Sequence, residues 1–199
     1  PAGAFVSAKN KWYRGFIIIQ NKNKKLTVIN DVELEDYLKG VVPSEMPSGW
    51  ELEALKAQAI AARSYALANL GKRASLGYDL KDTPEDQAYG GASAETVKTN
   101  EAVDSTCGLV LTYNTKVVPA YSASAGGKTI NASAVWGNDL PFIRSVPSYD
   151  DNVKKNGHGV GMSQHGANNL AKQGYNAYQI LSYFFQNVKF AKVSENSLN

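Results

Sequence analysis

Glu45 is the acidic residue whose sequence surroundings best suit acid chemistry. It sits in VVPSEMPSGW, Val41–Trp50, between two prolines and among apolar neighbours. Pro43 and Pro47 fix their own φ angles and bias Val42 and Met46 away from the helical region. The expectation is a stiff, extended turn that holds Glu45 just ahead of the next helix. Val41, Val42, Met46 and Trp50 disfavour a charged carboxylate, and that raises a glutamate toward the range of a general acid. A helix N-terminus close by acts in the opposite sense. The plain alternative is a surface loop joining two helices.

Three other stretches carry reactive residue types. In YSASAGG, Tyr121–Gly127, Ser122 and Ser124 precede paired glycines. A serine nucleophile needs a base in reach, and His158 or His165 is available for that role. The stretch lacks the G-x-S-x-G spacing of a nucleophile elbow. A glycine turn that brings backbone N–H groups to a ligand is the alternative. GHGVGMSQHGA holds both histidines of the chain. A zinc site needs three or four ligands. Two histidines and one distant cysteine do not supply them at any metal spacing, so no metal and no cofactor are expected. Arg63, with Gln58, interrupts AQAIAARSYA. It is either a snorkelling surface residue or a group that orients a carboxylate or binds substrate oxygens.

The elements that must position these residues are legible in outline. Gly15–Gln20 and Lys25–Asn30 are β-rich segments around a polar turn, a hairpin pattern. ELEDYLKGVV has helical spacing at Leu34, Tyr37, Leu38 and Val41. Ser48 and Glu51 form an S-x-x-E capping box. A long alanine-rich helix then runs to about Leu70, and Gly71 ends it. AETVKTNEAVDST reads as helix. GLVLTYNTKVVPAYSASAGG reads as a second hairpin turning at NTK. The stretch KTINASAVWGNDLPFIRSVPSYDDNVKKN looks irregular. Its aspartates Asp139, Asp150 and Asp151 read as solvated. A helix to about Lys172 and an amphipathic helix beyond Gly174 close the chain. The fold class is α+β: mixed helices with small antiparallel sheets, in a single catalytic domain with a central cleft. The expected boundaries are a hairpin at 1–31, the core domain at 32–190 and a tail at 191–199.

Composition sets the outer limits. The 199 residues are 43% hydrophobic and 20% charged, with a net charge of +3. That suits one globular domain and lacks the Lys/Arg-dense blocks of a nucleic-acid binder, so no nucleic-acid partner is expected. Cys107 is the single cysteine and excludes an internal disulfide. Between Thr106 and Gly108 it reads as a small buried thiol. The chain begins at Pro1 rather than Met. A signal peptide or membrane anchor upstream is therefore expected. No stretch approaches the length of an apolar membrane span.

Four motifs in order complete the reading. LEDYLKGVVPSEMPSGWELEALKAQAIAARSYAL, YSASAGGKTINASAVWG, LPFIRSVPSYD and GHGVGMSQHGANNLAKQGYNAYQILSYFF resemble the stage II sporulation protein D family, the SpoIID/LytB domain of bacterial cell-wall enzymes. The resemblance covers about Val32 to Phe190. It implies a peptidoglycan lytic transglycosylase acting outside the cytoplasm, in the periplasm or cell wall. Such an enzyme cuts between N-acetylmuramic acid and N-acetylglucosamine and leaves a 1,6-anhydro-muramyl end. Glycan strands, stripped of stem peptides by the family's habit, are the implied substrate, with a cell-wall amidase as a further partner. The resemblance places the catalytic glutamate on Glu45 and a substrate-binding arginine on Arg63. It places Tyr121, Ser122, Ser124, His158 and Gln164 along the cleft. The alternative function is a non-catalytic glycan-binding or amidase-modifying module. The segment YDDNVKKNG, between the third and fourth motifs, is shorter than in many members.

The chemistry agrees with a solitary carboxyl group. Ordinary glycosidases need two carboxylates. A muramyl unit carries its own nucleophile, the 6-hydroxyl, and intramolecular attack has a proximity advantage. One glutamate then acts first as acid and next as base. Hydroxyls of Tyr121, Ser122 and Ser124 offer dipoles to the developing positive charge or hold N-acetyl groups. Trp50 or Trp136 would stack on sugar faces.

Overall fold

The computed structural model describes residues 4–22 and 24–193. Two hairpins open the chain. Strands β1 (Val6–Ala8) and β2 (Lys11–Tyr13) form the first, which the sequence pattern did not reveal. Strands β3 (Phe16–Lys22) and β4 (Lys25–Asp31) form the expected one. Cross-strand pairs such as Ile18–Ile29 and Ile19–Val28 set its register. The hairpin leaves Phe16, Ile19 and Leu26 exposed.

Helix α1 (Leu34–Glu45) corrects the first expectation. The helix runs through Pro43, and Glu45 is its last residue rather than part of an extended turn. The packing of Leu38, Val41 and Val42, all fully buried, outweighs the pre-proline bias at Val42. That bias prevails one residue later. Met46, ahead of Pro47, is extended at φ −130°, ψ 140°, and ends the helix.

Helix α2 (Leu52–Ala68) is the central element. Its alanines let neighbours approach from every side, and it is buried almost continuously from Ala54 to Ala66. The expected capping box does not form. Glu51 is the N-cap residue and makes no side-chain cap. Its backbone N–H instead donates to Asn168 Oδ1 at 2.9 Å. Helix α3 (Val97–Ser105) starts at a box formed by Thr96 and Thr99. Cys107, just beyond α3, is exposed rather than buried. It sits in the turn that feeds the next strand, just ahead of Gly108 with φ +72°.

Strands β5 (Leu109–Tyr113) and β6 (Lys116–Val117) form the second hairpin, turning at Asn114 and Thr115 with positive φ. Next come β7 (Ser122–Ala123), α4 (Ala132–Trp136), β8 (Met162–Ser163), α5 (Gln164–Lys172), α6 (Ala177–Phe184) and β9 (Lys189–Lys192). Helix α4 lies in the segment expected to be irregular. Strand β9 pairs antiparallel with β5, giving the order β6–β5–β9. The expected tail boundary at 191 therefore falls inside a strand, and residues 194–199 lie outside the described set. The architecture is α+β with small sheets. Most strand pairs are antiparallel, but β7 and β8 pair in parallel. That pair brings the YSASAGG and HGVGMSQ motifs side by side. Gly161 makes it possible. Its φ is +84°, and a Cβ there would lie 2.3 Å from the Tyr121 carbonyl oxygen.

Candidate active site

A cavity of about 700 Å³ opens where the end of α1, one face of α2, β7 and the start of α5 converge. Glu45 is on its wall, and both carboxylate oxygens are held. Oε1 accepts the Ala88 N–H at 2.9 Å, and Oε2 accepts the Gln164 side-chain amide at 2.9 Å. The first donor is fixed from behind. Gln87 accepts the Tyr37 hydroxyl at 3.1 Å and donates to the Ala62 carbonyl at 3.3 Å, which pins the loop against α1 and α2. The second donor is fixed by the start of α5. Ser163 caps that helix, accepting the Gly166 N–H at 3.0 Å. Gly166 must be glycine, since a Cβ would meet the Ser148 carbonyl oxygen at 1.8 Å.

Tyr121, Ser122, Ser124, His158 and Gln164 all line the same cavity as Glu45. Ser122 Oγ accepts the Gln58 amide at 3.3 Å from buried Gln58 on α2. Tyr121, Trp136 and His158 form an aromatic wall, with ring centroids 4.5 Å apart for Tyr121–Trp136 and 5.2 Å for Trp136–His158. Trp136 keeps an exposed face. Trp50 is not part of this wall; it packs against His165 at 4.8 Å.

His158 is oriented by its own loop. Its Nδ1 accepts the Val160 N–H at 2.9 Å. Burial, and then the charge of Lys155, push its pKa below the ordinary histidine value. In the neutral ring the proton is then on Nε2, so neither nitrogen is a free base.

Arg63 is the site residue that the fold places elsewhere. It has no exposed surface. Its guanidinium meets Glu35 at 2.6 and 2.7 Å and donates to the Leu109 carbonyl at 3.0 Å. It ties α1, α2 and β5 together and is not part of the cavity lining. The sequence offers an arginine among alanines but does not show that Glu35 faces it.

Two acidic residues that the motifs did not single out, Glu85 and Asp86, also reach the cavity wall. Asp86 is saturated by Lys72 at 2.6 Å, Arg73 at 2.6 Å and the Lys81 N–H at 2.8 Å. Burial alone would raise its pKa, but these donors outweigh burial and hold it far below the usual carboxylate range. Glu85 lies at the rim, paired with Lys81. Asp150, expected to be solvated, is buried instead. Burial would raise its pKa too, yet hydrogen bonds from Ser148, Ser163 and the backbone of Gly126 and Gly127 lower it to about 2. Among the described residues no group of three or more His, Cys, Asp or Glu side chains is placed to hold a metal ion.

The fold and cavity define an α+β domain with one helix-end glutamate facing a cleft of hydroxyls and aromatic rings. Residues 22–113 match the SpoIID family model, described as stage II sporulation protein. It is 39% identical over 136 residues to an uncharacterized protein of Brachyspira hyodysenteriae, covering 67% of this chain and 37% of that protein. It is 45% identical over 107 residues to the amidase enhancer of Bacillus subtilis, covering 53% of this chain and 14% of that protein. It is 28% identical over 260 aligned residues to stage II sporulation protein D of the same bacterium, covering 82% of this chain and 76% of that protein. The match thus spans well under half of the first two relatives.

Proposed function

We propose that the protein is a lytic transglycosylase of bacterial peptidoglycan, with Glu45 as its only acid and base. The observation that carries this reading is one cavity carboxylate held only by neutral donors beside others tied to cations. Glu45 lines the cavity with its oxygens on two neutral donors, whereas Asp86 is held by Lys72, Arg73 and the Lys81 N–H. Among the described residues, the other carboxylates lining the cavity, Glu85 and Asp86, are both paired with cations, which argues against a two-carboxylate hydrolase.

In the proposed step, protonated Glu45 gives its proton to the glycosidic oxygen as the bond from the muramyl anomeric carbon breaks. The leaving N-acetylglucosamine departs with a 4-hydroxyl. The muramyl 6-hydroxyl then attacks the anomeric carbon, and the Glu45 carboxylate takes its proton. A 1,6-anhydro ring forms without water. The Ser122 and Tyr121 hydroxyls face the charge that develops on the sugar. The Trp136 face offers a stacking surface for a pyranose ring. Glycan strands are the proposed partner, and the proposed location is outside the cytoplasm.

The second reading is a non-catalytic module that modifies an amidase. The relative named amidase enhancer favours it, since its aligned part is 45% identical. A purified glycan strand separates the two. Mass spectrometry of the products reads new anhydro-muramyl ends for the transglycosylase. Binding without such ends, or full activity of Glu45→Gln, rejects it.

A further inference from the structure

We propose that Asp150 is a positioning residue for Glu45, acting through Ser163 and Gln164. This rests on the transglycosylase reading for its kinetic consequence, but the geometry stands apart from it. Asp150 is 2% exposed and accepts five hydrogen bonds. Oδ2 takes the Ala125 N–H at 2.9 Å, the Gly126 N–H at 3.1 Å and the Ser163 hydroxyl at 2.7 Å. Oδ1 takes the Gly127 N–H at 2.7 Å and the Ser148 hydroxyl.

These donors belong to the two motifs that flank the cavity. The Ala125–Gly127 backbone follows β7 and its serines directly. Gly126 and Gly127 hold φ of +70° and +100°, which turns three successive N–H groups into one anion-binding concavity. Ser163 ends β8 and caps α5, so its oxygen donates to Asp150 while accepting the Gly166 N–H. The next residue is Gln164, whose amide donates to Glu45. A buried carboxylate therefore clamps the β7 loop to the start of α5. The clamp ends one residue from the group that orients Glu45. All five partners donate, so only an anion with two acceptor oxygens satisfies them. Asparagine turns an NH₂ toward at least one donor and leaves it unpaired.

A residue that merely stiffens the loop would change stability or substrate affinity. A positioning residue changes turnover and the Gln164 contact. The test uses Asp150→Asn, Ser163→Ala and Gln164→Ala, alone and as the double variant Ser163→Ala with Gln164→Ala. Turnover and KM are measured on purified glycan strands. The side-chain amide signal of Gln164 in a ¹H–¹⁵N spectrum is followed in the single variants that retain it. Turnover is expected to fall about tenfold or more in Asp150→Asn and Ser163→Ala, the scale of a lost hydrogen bond to a charged group, with KM little changed. The Gln164 amide shifts toward its solvent value, and the double variant is no worse than Gln164→Ala. Ser163→Ala removes one of five bonds and carries the test if Asp150→Asn does not fold. Wild-type turnover in folded Ser163→Ala, additive losses, or an unmoved Gln164 signal overturns the proposal. A wild-type protein that forms no anhydro ends overturns the transglycosylase reading instead, and the Gln164 signal still decides the positioning role.

Discussion

Arg63 and Glu35 meet in a two-pronged ion pair at 2.6 and 2.7 Å, with the guanidinium shut off from solvent. Glu35 also accepts the Gly108 N–H at 3.1 Å. One pair thus joins α1, α2 and the entry to β5. Breaking a buried pair leaves an uncompensated charge and costs about 3–5 kcal/mol. Arg63→Ala is expected to lose stability on that scale in urea unfolding. Unchanged stability together with a raised KM for glycan would restore the substrate-binding role.

Glu45→Gln is expected to lower turnover by about two to four orders of magnitude, the usual share of general acid–base catalysis. Fold and glycan affinity are expected to persist. The measurement pairs circular dichroism with mass spectrometry of released anhydro-muropeptides.

Asp150 makes the folded state sensitive to strong acid. Its folded pKa of about 2 lies below the ordinary value of 3.8. Its contribution is therefore complete above about pH 4 and is lost as pH falls through about 2. The shift corresponds to about 2 kcal/mol. Thermal melting between pH 5 and pH 2 is expected to fall less steeply in Asp150→Asn than in the wild type. Parallel curves would count against this.

Trp136→Ala is expected to weaken binding of an N-acetylglucosamine oligomer about three- to tenfold, the scale of an aromatic stacking contact. Trp50→Phe should leave binding unchanged, because Trp50 packs on His165 away from the cavity. Titration calorimetry distinguishes the two.

The regular elements were readable because their signals are local. The β3–β4 hairpin and the alanine-rich α2 follow from short-range pattern, although α2 ends at Ala68, before Gly71. Glu45 stands out by its prolines, but burial of Val41 and Val42, not the prolines, decides its backbone state. What stayed hidden depends on pairs far apart in sequence. Asp150 looks like any loop aspartate until Ala125–Gly127 and Ser163 close around it. Asp86 and Ala88 lie in a stretch without periodicity, and their role appears only when Tyr37 and Gln87 dock it. Arg63 was misplaced for the same reason: its partner sits 28 residues upstream.

The two groups that meet at the Glu45 carboxylate, the Ala88 N–H and the Gln164 amide, come from distant parts of the chain. Gln164 follows Glu45 by 119 residues. Closing so long a loop comes late and slowly in folding. A fragment that stops after β6 has the glutamate but neither the aromatic wall nor its amide partner. Such a fragment is expected to be inert toward glycan, so any activity would wait on folding of the whole polypeptide.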